Sequence, residues 1–271
     1  MKVNRTLVAA AMAVACLATV AQAQLLYEQT FTHPGTGGDL PITDYGWSVA
    51  APGWYSGVYS GNYAPLLLDA ATNAPINGNS AIYLGSGGPI TDALGMAFVV
   101  EGSGGLDDPI DPALCERLLL TVYTQPGPNG AADDLGYFAV RVRDAADPRA
   151  EPVWYISTSP MAPPTATDPL FDLRSLEYHT ASWDNFTVDE TGAVAPVRGS
   201  TVGTLPSGLL INGLGIVSSL TNPADDYSGL NYADYRVFCV PEPSAVLLLT
   251  LATSASLIFR RRKATTTGHR E

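Results

Sequence analysis

The chain has 271 residues, with 26 acidic residues, 14 basic residues, 26 glycines, 21 prolines and three cysteines. Two of the acids and seven of the bases lie before residue 24 or after residue 240, so residues 24–240 carry 24 acids, seven arginines and no lysine, a net charge of −17. A surface this acidic repels phosphate backbones, which excludes a nucleic-acid partner and favours divalent cations or uncharged ligands.

The first 23 residues have the three parts of a secretory signal peptide. Lys2 and Arg5 precede an apolar run over residues 7–20, and Ala21-Gln22-Ala23 forms an A-x-A cleavage site. We expect export by Sec-type machinery and cleavage by signal peptidase after Ala23. The alternatives are an uncleaved amphipathic helix and lipoprotein processing at Cys16, although the residues before Cys16 lack the usual leucine.

An aromatic-rich segment follows at residues 47–63, "WSVAAPGWYSGVYSGNY". Trp47, Trp54, Tyr55 and Tyr59 stand among glycine, serine and asparagine. Flat rings on a polar loop can stack on sugar rings, so these four residues are candidates for glycan binding. The alternative is that the rings pack beneath the loop as part of the core, because large aromatic residues are usually buried.

The rest of the exported segment alternates short runs of β-branched and aromatic residues with turns rich in Gly, Pro, Asn and Asp. This pattern predicts an all-β chain folded as an antiparallel β-sandwich resembling a jelly roll. Nine strands are predicted, at residues 25–31, 80–85, 95–102, 117–125, 135–144, 152–159, 176–189, 208–219 and 232–240.

Two of these strands also predict which side chains face inward. In "YFAVRVR", Phe138, Val140 and Val142 share one face, while the other face carries Ala139, Arg141 and Arg143, which indicates a half-buried strand. In the final strand Tyr235, Val237 and Cys239 share one face. The opposite face is also largely apolar, which predicts a central or covered position.

Acidic pairs recur in the predicted loops and are candidate calcium ligands. Calcium binds several oxygen atoms, yet none of these loops has the twelve-residue EF-hand spacing. A solvated acidic turn is the alternative, and no other cofactor is predicted. The candidates are Asp107, Asp108, Asp111, Asp133, Asp134, Asp225 and Asp226.

Cys115 and Cys239 remain after removal of the signal peptide. An oxidising compartment permits a disulfide between them. Two separate buried thiols are the alternative, and the sequence does not decide between them.

The sequence offers little support for catalysis. The exported segment has two histidines, His33 and His179, and neither HExxH nor G-x-S-x-G occurs. We therefore expect no enzymatic activity. A glycan-active hydrolase with carboxylates from separate loops remains the alternative.

The C-terminal region combines three features in order: Pro241-Glu242-Pro243, a short apolar run at 245–259, and the cations Arg260, Arg261, Arg262 and Lys263. The apolar run is shorter than the ~20 residues of a usual membrane-spanning helix, but it can cross a thinned bilayer. The cations then place the tail, residues 264–271, in the cytoplasm. The two prolines favour an extended segment just outside the bilayer.

These three features resemble the PEP-CTERM sorting signal of Gram-negative bacteria, here spanning residues 240–263. The resemblance implies transient anchoring in the inner membrane and recognition of Pro-Glu-Pro by an exosortase-type transpeptidase. It also implies delivery to the cell surface or to the exopolysaccharide matrix. More loosely, the exported domain (24–239) has an opening "YEQTF" strand, a middle "SWDNFTV" and a closing strand that runs into "VPEP". In this it resembles the concanavalin A-like β-sandwiches found in many exported PEP-CTERM proteins. The sequence thus favours a non-catalytic surface or matrix protein, with a glycan-binding module as the alternative.

Overall fold

The computed structural model describes residues 23–31, 40–52, 54–59, 81–86, 94–126, 134–161, 172–221 and 229–240. These ranges form fourteen strands and two 3₁₀ turns, at Ile42–Tyr45 and Pro112–Leu114. The strands are β1 (Gln24–Gln29), β2 (Leu40–Pro41), β3 (Ser48–Ala50), β4 (Trp54–Tyr59), β5 (Ala81–Ser86), β6 (Leu94–Val100), β7 (Arg117–Pro126), β8 (Leu135–Asp144), β9 (Val153–Ser157), β10 (Asp172–Glu177), β11 (Trp183–Thr187), β12 (Val197–Gly203), β13 (Leu209–Ser219) and β14 (Gly229–Val240).

The strands form two seven-stranded sheets. Sheet I has the order β10-β7-β14-β5-β4-β2, and β1 also pairs with β14. Sheet II has the order β12-β11-β9-β8-β13-β6-β3. Neighbouring strands run antiparallel, for example β13 against both β8 and β6. The predicted all-β class and antiparallel sandwich are therefore confirmed.

The predicted helices at the two ends of the chain, residues 1–23 and 245–259, lie almost entirely outside the described residues. Within the described ranges, no helix has the length and apolar character needed to span a membrane. Residues Leu25–Cys239 form one compact unit, and this unit is the sandwich.

The main core lies between the two sheets. Alternation along β8 turns Phe138, Val140 and Val142 inward, where all three are buried. Each strand of an antiparallel sheet points successive side chains to opposite faces, so the period of two in "YFAVRVR" correctly predicts this inner face.

The opposite face of β8 differs from the prediction. Tyr137 and Ala139 are buried there in a second apolar cluster on the outer face of sheet II, and Arg141 and Arg143 are half-buried in ion pairs. The strand is therefore covered on both faces, because outward side chains of several neighbouring strands pack together above it. The other members of the second cluster are Ala50, Met96, Phe98, Trp154, Ile156, Phe186 and Val217.

The C-terminal strand, β14, occupies the interior of sheet I between β7 and β5, as its two apolar faces predict. Asp234 interrupts it with a left-handed backbone, φ 51°. The extra residue works as a bulge: Tyr232 and Tyr235 are both fully buried in the main core, although a spacing of three positions would put them on opposite faces of a regular strand.

Candidate functional site

The two tryptophans of the aromatic segment belong to the core. Trp47 is 1% exposed, donates a hydrogen bond from Nε1 to Tyr27 Oη at 2.9 Å, and makes edge contacts with Phe31 and Tyr235. Trp54 is also buried, and its ring lies against Gly95. Neither ring is open for stacking on a sugar, which corrects the glycan-binding hypothesis for these two residues in favour of its core alternative.

Tyr55 and Tyr59 are described only through their backbone. Both lie in β4, where Tyr55 pairs with Gly85 and Tyr59 with Ala81 of β5. Their side chains fall outside the described residues, so the glycan-binding prediction remains a prediction for this pair.

The described acidic loops place their carboxylates apart from one another. Asp107 and Asp108 are exposed, while Asp111 Oδ1 accepts a hydrogen bond from Ala113 N at the start of the second 3₁₀ turn. Asp134 is buried, and its Oδ1 accepts from Thr221 N at 2.9 Å. Within the described ranges, no group of three His, Cys, Asp or Glu side chains comes together, so calcium binding by these loops remains a prediction. Asp133, Asp225 and Asp226 lie outside the described residues.

The outer face of sheet II carries polar groups that sequence reasoning missed. Asp184, 7% exposed, accepts hydrogen bonds from Arg198 Nε and Thr201 Oγ1. The Arg198 guanidinium also lies 4.8 Å from the centre of the Tyr137 ring. The only signal in the sequence is the alternation of "SWDNFTV", which puts Asp184 and Phe186 on one face but does not identify their partners.

A loop at residues 188–196, which we term the strap, crosses this same face. Glu190 Oε1 accepts from Trp154 Nε1 and pairs with Arg141 Nε, each at 2.8 Å, which places the strap above β9 and β8. Farther on, Gly192 (φ 76°) lies so close to β3 that a Cβ would come 2.9 Å from Val49 O. The strap therefore spans the sheet from β11 to β3 and helps cover the second apolar cluster.

Asp189 fixes the strap's internal turn. Its Oδ1 accepts from Thr191 N and Oγ1, and its Oδ2 accepts from Val194 N. These hydrogen bonds, chiefly that of the Thr191 hydroxyl, lower the pKa of the Asp189 carboxyl. The turn is therefore most stable when the Asp189 carboxyl is ionised.

Sheet I carries a second charged group at the β14 bulge. Asp234 is 2% exposed and lies 3.4 Å from Arg236 Nη2, while Arg236 Nε pairs with Glu28 Oε1 at 2.8 Å. Burial raises the pKa of Asp234, against the attraction of Arg236, and the nearby Glu28 raises it further. Two carboxylates thus share one guanidinium.

Most of the domain's arginines are neutralised in this way. Six of the seven pair with an acid: Arg117 with Glu177, Arg141 with Glu190, Arg143 with Glu101, Arg174 with Asp172, Arg198 with Asp184, and Arg236 with Glu28. Among the described residues, only Arg149 remains to meet an anionic ligand. The surface potential is therefore set by unpaired acids.

The structure joins Cys115 to Cys239 in a disulfide across 124 residues of sequence, with the two Cα atoms 5.2 Å apart. Cys115 follows the second 3₁₀ turn, and Cys239 is the penultimate residue of β14. Val240 ends the strand immediately before the Pro-Glu-Pro segment. The sorting residues Pro241, Glu242, Pro243, Arg260, Arg261, Arg262 and Lys263 lie outside the described residues, as does Ala21, while Ala23 is exposed just before β1.

Comparison with known proteins gives no family. No family model and no curated protein matches this chain. A Stig cyclase from Fischerella sp. TAU is 13% identical, with a TM-score of 0.43, over 81% of this chain and 99% of that one. The CBM22-1 xylan-binding domain of Paenibacillus barcinonensis Xyn10C is 9% identical, with a TM-score of 0.40, over 81% and 97%. A family 11 carbohydrate-binding module from Clostridium thermocellum is 11% identical, with a TM-score of 0.37, over 76% and 98%. These similarities are too distant to carry an argument about function.

Proposed function

We propose that this chain is an exported surface or matrix protein: a jelly-roll-like sandwich that is anchored in the inner membrane by its C-terminal helix and then released by processing at Pro241-Glu242-Pro243. The observation that carries the proposal is the extent of the folded unit. The compact sandwich, Leu25–Cys239, begins two residues after the expected signal cleavage site and ends two residues before Pro241. Both processing steps would thus leave the fold intact.

The disulfide supports the same location. A crosslink between Cys115 and Cys239 is stable in an oxidising compartment and rare in the cytoplasm. The signal peptide would deliver the chain to such a compartment. The C-terminal strand would then be fixed to the domain before the tail is processed.

The test is replacement of Pro241, Glu242 and Pro243 by alanine in a Gram-negative host that carries an exosortase-type transpeptidase. The variant should stay in the inner membrane while the wild-type protein reaches the cell exterior. A matched control replaces Thr265, Thr266 and Thr267 of the tail by alanine and should be exported normally. Export of the Pro-Glu-Pro variant at wild-type levels would refute the sorting proposal.

A second candidate function is glycan binding, and the electrostatics of the described surface restrict it to uncharged or cation-bridged glycans. With six of seven arginines paired and a net charge of −17 over residues 24–240, an anionic polysaccharide would be repelled unless divalent cations bridge it. An uncharged glycan would not be repelled electrostatically. This candidate predicts retention on a neutral β-glucan, and on alginate only when calcium is present. If the protein is retained on neither polysaccharide, the glycan-binding candidate is refuted and only the structural role remains.

A further inference from the structure

The disulfide lies at the C-terminal end of the folded domain, where force applied through the tail would enter it. Cys239 precedes the last residue of β14, Val240, and the predicted sorting segment begins at Pro241. Any tension applied through the tail therefore reaches the crosslink before it reaches the rest of β14. The crosslink then passes the tension to Cys115, two residues before β7.

The crosslink also divides the sandwich into two continuous blocks. Strands β7 to β14 lie within the loop that it closes, and β1 to β6 lie outside. In sheet I the looped strands are the neighbours β10, β7 and β14, and in sheet II they are the neighbours β12, β11, β9, β8 and β13. The blocks meet where β14 pairs with β5 and β1, and where β13 pairs with β6.

Without the crosslink, tension on the tail could detach β14 from the sheet, beginning at its C-terminal end. Tension at Val240 would separate β14 from its neighbours one hydrogen bond after another, starting at the C-terminus. Each step breaks only a small part of the ladder, so an end-loaded strand resists little force. Removal of β14 would expose the core, because Leu230, Tyr232, Tyr235 and Val237 are all buried there.

With the crosslink in place, the path of tension changes. It runs from the tail through Cys239 to Cys115 and then along the chain towards the N-terminus, so β7 to β14 carry no load along their backbone. We propose that the Cys115–Cys239 disulfide acts as a mechanical clamp, which lets the tethered domain bear tension without losing its C-terminal strand. The biological use of the clamp rests on the proposed function, and applies to the stage at which the tail still anchors the domain, before processing at Pro241-Glu242-Pro243.

The test is single-molecule pulling on the exported segment, which forms a compact unit of its own. Since residues 24–240 contain no lysine, an amine-reactive handle attaches at the N-terminal amine alone, and a genetically encoded handle follows Val240. In the oxidised protein, only the chain outside the 124-residue loop should extend. Reduction should add about 400–450 Å, at ~3.3–3.6 Å per residue.

The force at the first unfolding event decides the proposal. It should be lower after reduction, with β14 detaching as an early step before the remainder unfolds. The Cys115→Ser/Cys239→Ser variant, checked for native circular dichroism, should behave like the reduced wild type under both redox conditions. Equal unfolding forces for the oxidised and reduced wild-type proteins would overturn the clamp. This experiment does not involve the tail, so its failure is distinguishable from failure of the sorting proposal.

Discussion

The ring of Trp54 lies directly over the backbone of Gly95, so closely that a Cβ at residue 95 would come 2.2 Å from Trp54 Cδ2 and Cε3. The contact joins β4 of sheet I to β6 of sheet II across the core. The Trp54 indole can pack here only because residue 95 has no side chain.

This contact predicts that substitutions at residues 54 and 95 have non-additive effects on stability. Gly95→Ala should destabilise the domain by roughly 1–3 kcal/mol through overpacking, and Trp54→Ala by roughly 3–5 kcal/mol through loss of buried surface. At ~2–4 °C per kcal/mol, both changes are visible in a thermal melt. Because Gly95→Ala costs nothing once the ring is absent, the double variant should melt close to Trp54→Ala. Additive losses would contradict the contact.

The buried ion pair on sheet II gives a second prediction. Arg198→Met would leave Asp184, 7% exposed, without its counter-charge, and should cost roughly 3–5 kcal/mol. The control is Arg117→Met, which breaks a pair whose arginine is 51% exposed and should cost ~1 kcal/mol or less. Urea unfolding of both variants measures the difference. Equal losses would mean that Arg198 contributes no more than a surface charge.

The disulfide gives a third prediction. Oxidised protein that has been denatured without reductant should show no thiol labelling at Cys115 or Cys239. Reduction should remove about 4–5 kcal/mol of stability in the chain-entropy view, and so lower the melting temperature by about 8–20 °C. Two labelled thiols in the protein from its host would refute the bridge.

The carboxyl at the β14 bulge gives a prediction about pH. Burial raises the pKa of Asp234 in the folded state, so the folded chain holds this proton more tightly than the unfolded chain. Stability should therefore fall as the pH rises from about 4, the unfolded value, through the raised folded pKa, and then level off.

Asp234→Asn should abolish this part of the pH dependence. Asparagine tolerates the left-handed backbone at φ 51°, whereas Asp234→Ala should lose the same pH dependence and an additional ~1–2 kcal/mol. Melting temperatures of the three proteins between pH 4 and 8 provide the measurement. An unchanged slope in both variants would show that another group is responsible.

The sequence correctly predicted the buried face of a strand where apolar and polar residues alternate, and an interior position where both faces are apolar. Phe138, Val140 and Val142 identify the inner face of β8, and the apolar faces of β14 indicate its interior position. Residues 176–189 were predicted as one strand, but the structure divides them between β10 and β11. A turn of Tyr178, His179 and Thr180 separates the two strands without a glycine or proline, and is held by Ala181 N donating to Glu177 O.

The site residues depend on contacts between distant segments, which alternation does not encode. Glu190 meets Trp154 and Arg141 because the strap crosses the sheet, and Asp184 meets Arg198 across two register shifts between β11 and β12. Strand β12, "VRGSTVG", was missed because its exposed position at a sheet edge leaves little apolar pattern. The general tendency of large aromatic residues to be buried favoured the core for Trp47 and Trp54, but local sequence does not identify their partners, because these come from other segments of the chain.

Export of an intact sandwich by processing at both ends can be tested with one measurement, the intact mass of the protein isolated from the exterior of its own host. We expect a chain that begins at Gln24 and ends at or close to Pro241-Glu242-Pro243, with the Cys115–Cys239 disulfide formed. A chain that still carries residues 245–271, or that retains the first 23 residues, would contradict it.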